Sequence, residues 1–186
     1  MIITLKDEKM VYIAIDAGNT YNDIHYEDIL HEENLKMWRV PETTDCIMAS
    51  NAAGSMEINQ IRYQPLSVAP IIDEKNIMAD IIEVLKKVYK DCETSTEDIK
   101  RHTFILAKGD KAFEILDGCF CMEIEDFNVC GYGDDVAYGA MSIYQNSSPI
   151  ERILASFRTV KKMKHIDTFP VVIMNTRTQN RYVFYE

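Results

Sequence analysis

The sequence predicts an α+β domain built as a four-layer αββα sandwich, two antiparallel sheets lying between two helical layers. Three observations predict it. Short runs rich in β-branched and aromatic residues recur along the 186 residues, bounded by turn formers. Helical periodicity is confined to one central stretch and two consecutive late ones. The order is therefore strands, helix, strands, two helices, strands, with no linker, internal repeat or low-complexity segment to divide residues 1–186 into more than one domain. Helices must cover sheet faces, and two stacked sheets between two helical layers bury every apolar face economically. Periodicity alone leaves other α+β folds open.

Taken in order, IITLK at 2–6 and MVYIAID at 10–16 read as a strand pair turned at Asp7-Glu8-Lys9. LKMWRV at 35–40 is a third extended piece. DCIMASNAAG is a fourth and ends in small residues. Residues 73–90 carry Ile77, Met78, Ile81, Ile82, Leu85, Val88 and Tyr89 at helical spacing. HTFILAK, KAFEIL, CFCMEI and FNVCGYG then read as antiparallel strands, turned at Gly109-Asp110 and Asp117-Gly118. A helix is predicted over 134–145, with Ala137, Gly139 and Ala140 small enough to admit a close neighbour. The next helix announces its own start. Ser148 is the N-cap, Pro149 the first helical residue, and Glu151 the partner of a capping box. Lys161, Lys162 and Lys164 complement the dipole at its end. PVVIMNT and RYVFYE close the chain as strands joined by RTQN.

Acidic residues outnumber basic ones 30 to 20, for a formal net charge of −10. Nucleic acid and anionic membrane surfaces are excluded as partners, because phosphate binding needs clustered Lys and Arg. No apolar run reaches the length of a membrane span. The N-terminus turns charged too early for a secretory signal, and the five cysteines are odd in number, so a reducing cytoplasm is expected. Cys119 and Cys121 share one face of CFCMEI, but no second pair or nearby histidine completes a zinc set. They read as structural thiols, and no metal or cofactor is expected.

Several segments carry a family resemblance. DGCFCMEIEDFNVCGYGDDVAYGAM resembles a stretch of proteasome subunits in which a strand runs into a Gly-Ser-Gly turn and an Ala/Gly-rich helix. SSPIERILASFRTVKKMKHIDTFPVVIMN resembles the helix and strand that follow there. IITLKDEKMVYIAIDAG is similar to the opening hairpin of proteasome β and HslV subunits, which ends in an aspartate. Asn51-Ala52-Ala53-Gly54-Ser55 resembles the glycine turn before the family's first helix. The family usually has a helix over 56–72; Pro65 and Pro70 predict a shorter, rearranged one here. The resemblance implies an N-terminal-nucleophile (Ntn) hydrolase fold. It also implies self-association into rings or stacks, in some members with an ATPase partner.

Family members are threonine peptidases. The hydroxyl of the first residue attacks the peptide carbonyl, its own α-amine acts as base, and a lysine held by an aspartate lowers the pKa of that amine. Backbone NH groups hold the oxyanion. By resemblance Asp16 takes the aspartate's place, His31 falls near the lysine's, Ala53 and Gly54 match the oxyanion turn, and Tyr132 stands where a serine is usual. Lys36 is the nearest lysine, beyond the expected spacing, and Lys164 and Asp167 fall near the late aspartate and serine. The nucleophile's place falls at the very start, where Met1 offers only a thioether. Cleavage before Thr4 would create a hydroxyl but move it about 10 Å along the strand. The resulting expectation is a subunit that has lost peptidase activity and serves a structural or assembly role. An active hydrolase with another N-terminus is the alternative, and a small-ligand module reusing the cleft of Asp16, His31 and Tyr132 is a third reading.

Overall fold

In the computed structural model, which describes residues 1–17, 35–41, 43–51, 56–63, 80–116 and 120–186, the opening apolar runs form a hairpin. β1 (Ile2–Asp7) pairs antiparallel with β2 (Met10–Asp16), Ile2 opposite Ile15 and Asp7 opposite Met10. Distant strands flank this hairpin. β8 (Phe127–Cys130) pairs with β1, β9 (Val171–Asn175) with β2, and β10 (Arg181–Phe184) lies outside β9. The first sheet therefore runs β10-β9-β2-β1-β8. The second keeps sequence order: β3 (Met37–Arg39), β4 (Cys46–Ser50), β5 (Thr103–Lys108), β6 (Lys111–Leu116) and β7 (Phe120–Glu123). Every pairing in both sheets is antiparallel.

Among the described residues the helices are α1 (Met56–Tyr63), α2 (Ile82–Asp91), the single turn α3 (Thr96–Ile99), α4 (Asp134–Ile143) and α5 (Pro149–Lys164). α1 ends ahead of Pro65, as the missing N–H and ring bulk of proline require. Of the helix expected over 73–90, residues 73–79 lie outside the described residues, as does the Asp117-Gly118 turn. Ser148 caps α5 by accepting from the Glu151 amide at 3.4 Å. The Glu151 carboxylate lies 3.9 Å from Arg158 instead, so only half of the expected capping box forms. No helix among the described residues is long and apolar enough to cross a membrane.

Three apolar layers separate the four structural ones. Ile2, Ile13, Ile15, Met37, Ile47 and Ile105 fill the space between the sheets. Trp38, Ile61, Leu85, Phe104 and Phe113 pack the second sheet against α1 and α2. Ile3, Leu5, Met141, Ile153, Phe157 and Ile173 pack the first sheet against α4 and α5. Strands covered on both faces lose polar alternation, which is why all five residues of β4 and of β9 are buried. Cys121 packs on the helical side of its sheet, while Cys119 lies outside the described residues. Polar ties also cross between the sheets. The Thr176 hydroxyl accepts from the Val11 amide at 3.0 Å and donates to the Gly109 carbonyl in the β5–β6 turn. The Gln179 amide donates to the Cys46 carbonyl at 3.2 Å.

One titrating group sits inside this core. His102 is 8% exposed, with Nδ1 3.2 Å from the Tyr89 hydroxyl and Phe104 edge-on to its ring. Burial lowers its pKa, and the charges of Glu57 and Asp98 only partly oppose this. The unfolded chain therefore takes up the proton first, and the folded state loses stability as pH falls below the free-histidine range near 6.5. Between pH 7.5 and pH 5 the wild type is expected to lose up to about 2 kcal/mol more than His102→Phe, read from urea midpoints.

Candidate functional site

The hairpin register puts the two ends of one strand pair side by side. With Ile2 opposite Ile15, Met1 faces Asp16, and the Asp16 amide donates to the Met1 carbonyl at 3.3 Å. The Met1 α-amine donates to Asp16 Oδ2 at 2.6 Å. Lys36, at the bend leading into β3, donates its ammonium to Asp16 Oδ1 at 2.7 Å. One carboxylate from the first sheet thus binds two amines, one of them from the second sheet, and is itself only 5% exposed. Burial pushes the Asp16 carboxyl up, but the α-amine and Lys36 together hold it below the ordinary aspartate value. Burial lowers the α-amine's pKa; Asp16 raises it and Lys36 lowers it further. The outcome is an amine that gives up its proton more readily than a free one, with an aspartate–lysine pair around it. A general base for an adjacent hydroxyl needs this electrostatic setting.

The lysine is the residue that spacing missed. His31 lies outside the described residues, and the ammonium that meets Asp16 is Lys36. A lysine thus meets Asp16 from beyond the expected spacing. The signal was present in LKMWRV, since the residue entering the third strand, rather than a fixed count from Asp16, faces the hairpin end. Ala53 and Gly54 also lie outside the described residues.

The Gly131-Tyr132-Gly133 turn backs the site. Gly131 has φ +106°, and a Cβ there would come 3.1 Å from the Met1 Cα. The turn can therefore pass behind the first residue only as glycine. Gly133 has φ +86°, and its Cβ would meet Val160 of α5 at 2.7 Å. Gly133→Ala is expected to lower stability by about 2–3 kcal/mol, combining left-handed strain with overpacking, as measured by chemical denaturation. Tyr132 itself is 69% exposed. Lys164 pairs with Asp135 at 2.9 Å and Asp167 with Lys161 at 3.5 Å, both on the surface. Cys130, opposite Ile2, is buried and its thiol is pushed up to about 12, chiefly by burial, so it is no thiolate nucleophile at neutral pH.

The four-layer sandwich, two antiparallel sheets between two helical layers, is a proteasome/HslV-like fold. No family model matches the chain, and no curated protein does. Solved structures do. Thiobacillus denitrificans BPH is similar with a TM-score of 0.70 at 16% identity, covering 95% of this chain and 97% of its own. The same protein in complex with Epoxomicin gives 0.66, covering 96% and 99%. Anbu, an ancestral beta-subunit from Yersinia bercovieri, gives 0.62 at 12% identity, covering 100% and 87%. Eukaryotic HslV from Trypanosoma brucei gives 0.57 at 12%, covering 94% and 97%.

Proposed function

We propose that this chain is a proteasome/HslV-like subunit that has given up peptidase chemistry and keeps the old site as an ionic clasp between its two sheets. One observation carries this reading. The residue in the nucleophile's place is Met1, and its side chain, in a residue 6% exposed, packs with Ile3, Leu5 and Val129 in the helix-side core. A thioether cannot add to an acyl carbon. What remains is a carboxylate joining the start of β1 to the segment before β3, which is a stabilising contact. The subunit's work is then assembly. Exposed Tyr138 and Ile143 on α4 and Met163 on α5 supply apolar surface on one helical layer for self-association. The buried free thiols Cys46 and Cys130 suit a reducing, cytoplasmic setting.

A second reading has support of its own. The Asp16–Lys36 pair is complete, and a structural neighbour is solved with Epoxomicin, so an active peptidase with a different mature N-terminus is the competitor. One experiment separates the two. The protein from its native source is weighed intact, denatured and native, before and after an epoxyketone or β-lactone probe. The proposal expects a chain beginning at Met1, no adduct, and an oligomer at micromolar concentration. An adduct on a chain beginning with Thr, Ser or Cys overturns it in favour of the peptidase. A strict monomer removes the assembly role.

A further inference from the structure

Lys36 reaches Asp16 from a short bend rather than from within a strand, so something must fix that bend. Two contacts do. The Ser50 amide at the end of β4 donates to the Lys36 carbonyl at 2.8 Å. The Arg62 guanidinium, from the last turn of α1, donates through Nη2 to the Leu35 carbonyl, one residue before Lys36. Its carbon Cζ lies 5.3 Å from the centre of the Trp38 ring, two residues after Lys36. Arg62 thus grips the backbone on one side of Lys36 and a β3 side chain on the other, while remaining only 5% exposed. A buried guanidinium is kept in place by the hydrogen bonds and packing that satisfy it, here to the Leu35 carbonyl and the Trp38 ring. A planar fork that both donates to a carbonyl and stacks on an indole is also something a lysine cannot reproduce.

Building on the clasp reading above, we infer that Arg62 is a positioning residue that holds Lys36 against Asp16 and so sets the charge state of the amine at Met1. It acts through Lys36 and touches neither Asp16 nor Met1. It also ties Lys36 to α1, so movement of that helix would be felt at the clasp. The role is distinct from packing, since a residue that merely filled space would leave the titration of the α-amine where it is.

The test is competitive acetylation of the intact chain over a pH series, with the N-terminal peptide quantified by mass spectrometry. Arg62→Lys keeps the charge but loses the fork and the flat stack. If Lys36 drifts from the cluster, the α-amine loses the cation that disfavours its protonation. Its titration midpoint is then expected to rise by about half a pH unit or more in Arg62→Lys and in Lys36→Met alike. In the double variant Arg62→Lys adds nothing, because its effect passes through Lys36. A midpoint in Arg62→Lys equal to wild type, with Lys36→Met shifted, overturns the role of Arg62 and leaves the clasp standing. Additive shifts in the double variant also overturn it. If Lys36→Met itself shifts nothing, the clasp fails and takes the role of Arg62 with it.

Discussion

Asp16→Ala is expected to destabilise the chain by about 3–5 kcal/mol, seen as a lower urea midpoint at unchanged slope. Among the described residues the carboxylate is the anion that meets both amines, at 2.6 and 2.7 Å, and its side chain is only 7% exposed. Removing it leaves buried positive charge without a partner, which is the expensive way to break an ion pair. Lys36, with its side chain 14% exposed, loses its ion-pair partner as well. Lys36→Met leaves Asp16 bonded to the α-amine and is expected to cost less, about 1–2 kcal/mol. Equal losses in the two variants would remove the carboxylate's special place. The pH profile follows from the signs. The carboxyl's pKa is lowered in the fold, so its contribution is present above about pH 4 and disappears as acid protonates it. The wild type and Asp16→Ala should therefore converge in stability in acid. The α-amine's pKa is lowered as well, so its burial penalises folding as pH drops below the free-amine range near 8.

The second large effect is a gain. Met1→Thr, released from a removable N-terminal fusion, is expected to be acylated stoichiometrically by a β-lactone where the Met1 chain is not; intact mass reads the adduct. The base is an amine whose pKa burial has lowered, and it sits on an aspartate that also binds a lysine. The substitution supplies the hydroxyl that Met1 lacks. Adding Asp16→Ala to the restored chain should slow labelling by roughly 10²-fold, because the base and its lysine lose their common anchor. A restored chain that stays unlabelled would mean that more than one atom separates this site from catalysis. Peptide turnover asks for further groups, and Tyr132 stands exposed where the family has a serine.

Much of the architecture was legible in the sequence because its signals are local. The 2–6 and 10–16 runs, the Ser148-Pro149 start and the strands from Thr103 to Cys130 are set by alternation, turn residues and caps acting within a few residues. Asp16 was legible for the same reason, since it ends a strand whose length β propensity fixes. Lys36 was not. Between Asp16 and β3 no periodicity constrains the number of residues, and aligning LKMWRV with the family's third strand pointed to His31, while the lysine that meets Asp16 is Lys36 at the head of β3. Arg62 carried no signal either. In sequence it is one basic residue near a helix end; its meaning comes from Leu35 and Trp38, which only folding brings to it. Helix 134–145 was read almost to its end, but the demand for glycine at Gly131 depends on how closely Met1 passes, which is a three-dimensional fact.

The strand order also dictates a sequence of events during synthesis. The β3–β7 sheet keeps sequence order, so its β5–β6 and β6–β7 pairings are local, while β4 pairs with β5 across the helices between them. The β1–β2 hairpin, made first, waits for β8 and then for β9 near the other end of the chain. Until those late strands dock, its two outer edges are open. The edge of β2 is therefore the last of the hairpin to be covered, once Val171–Asn175 is in place.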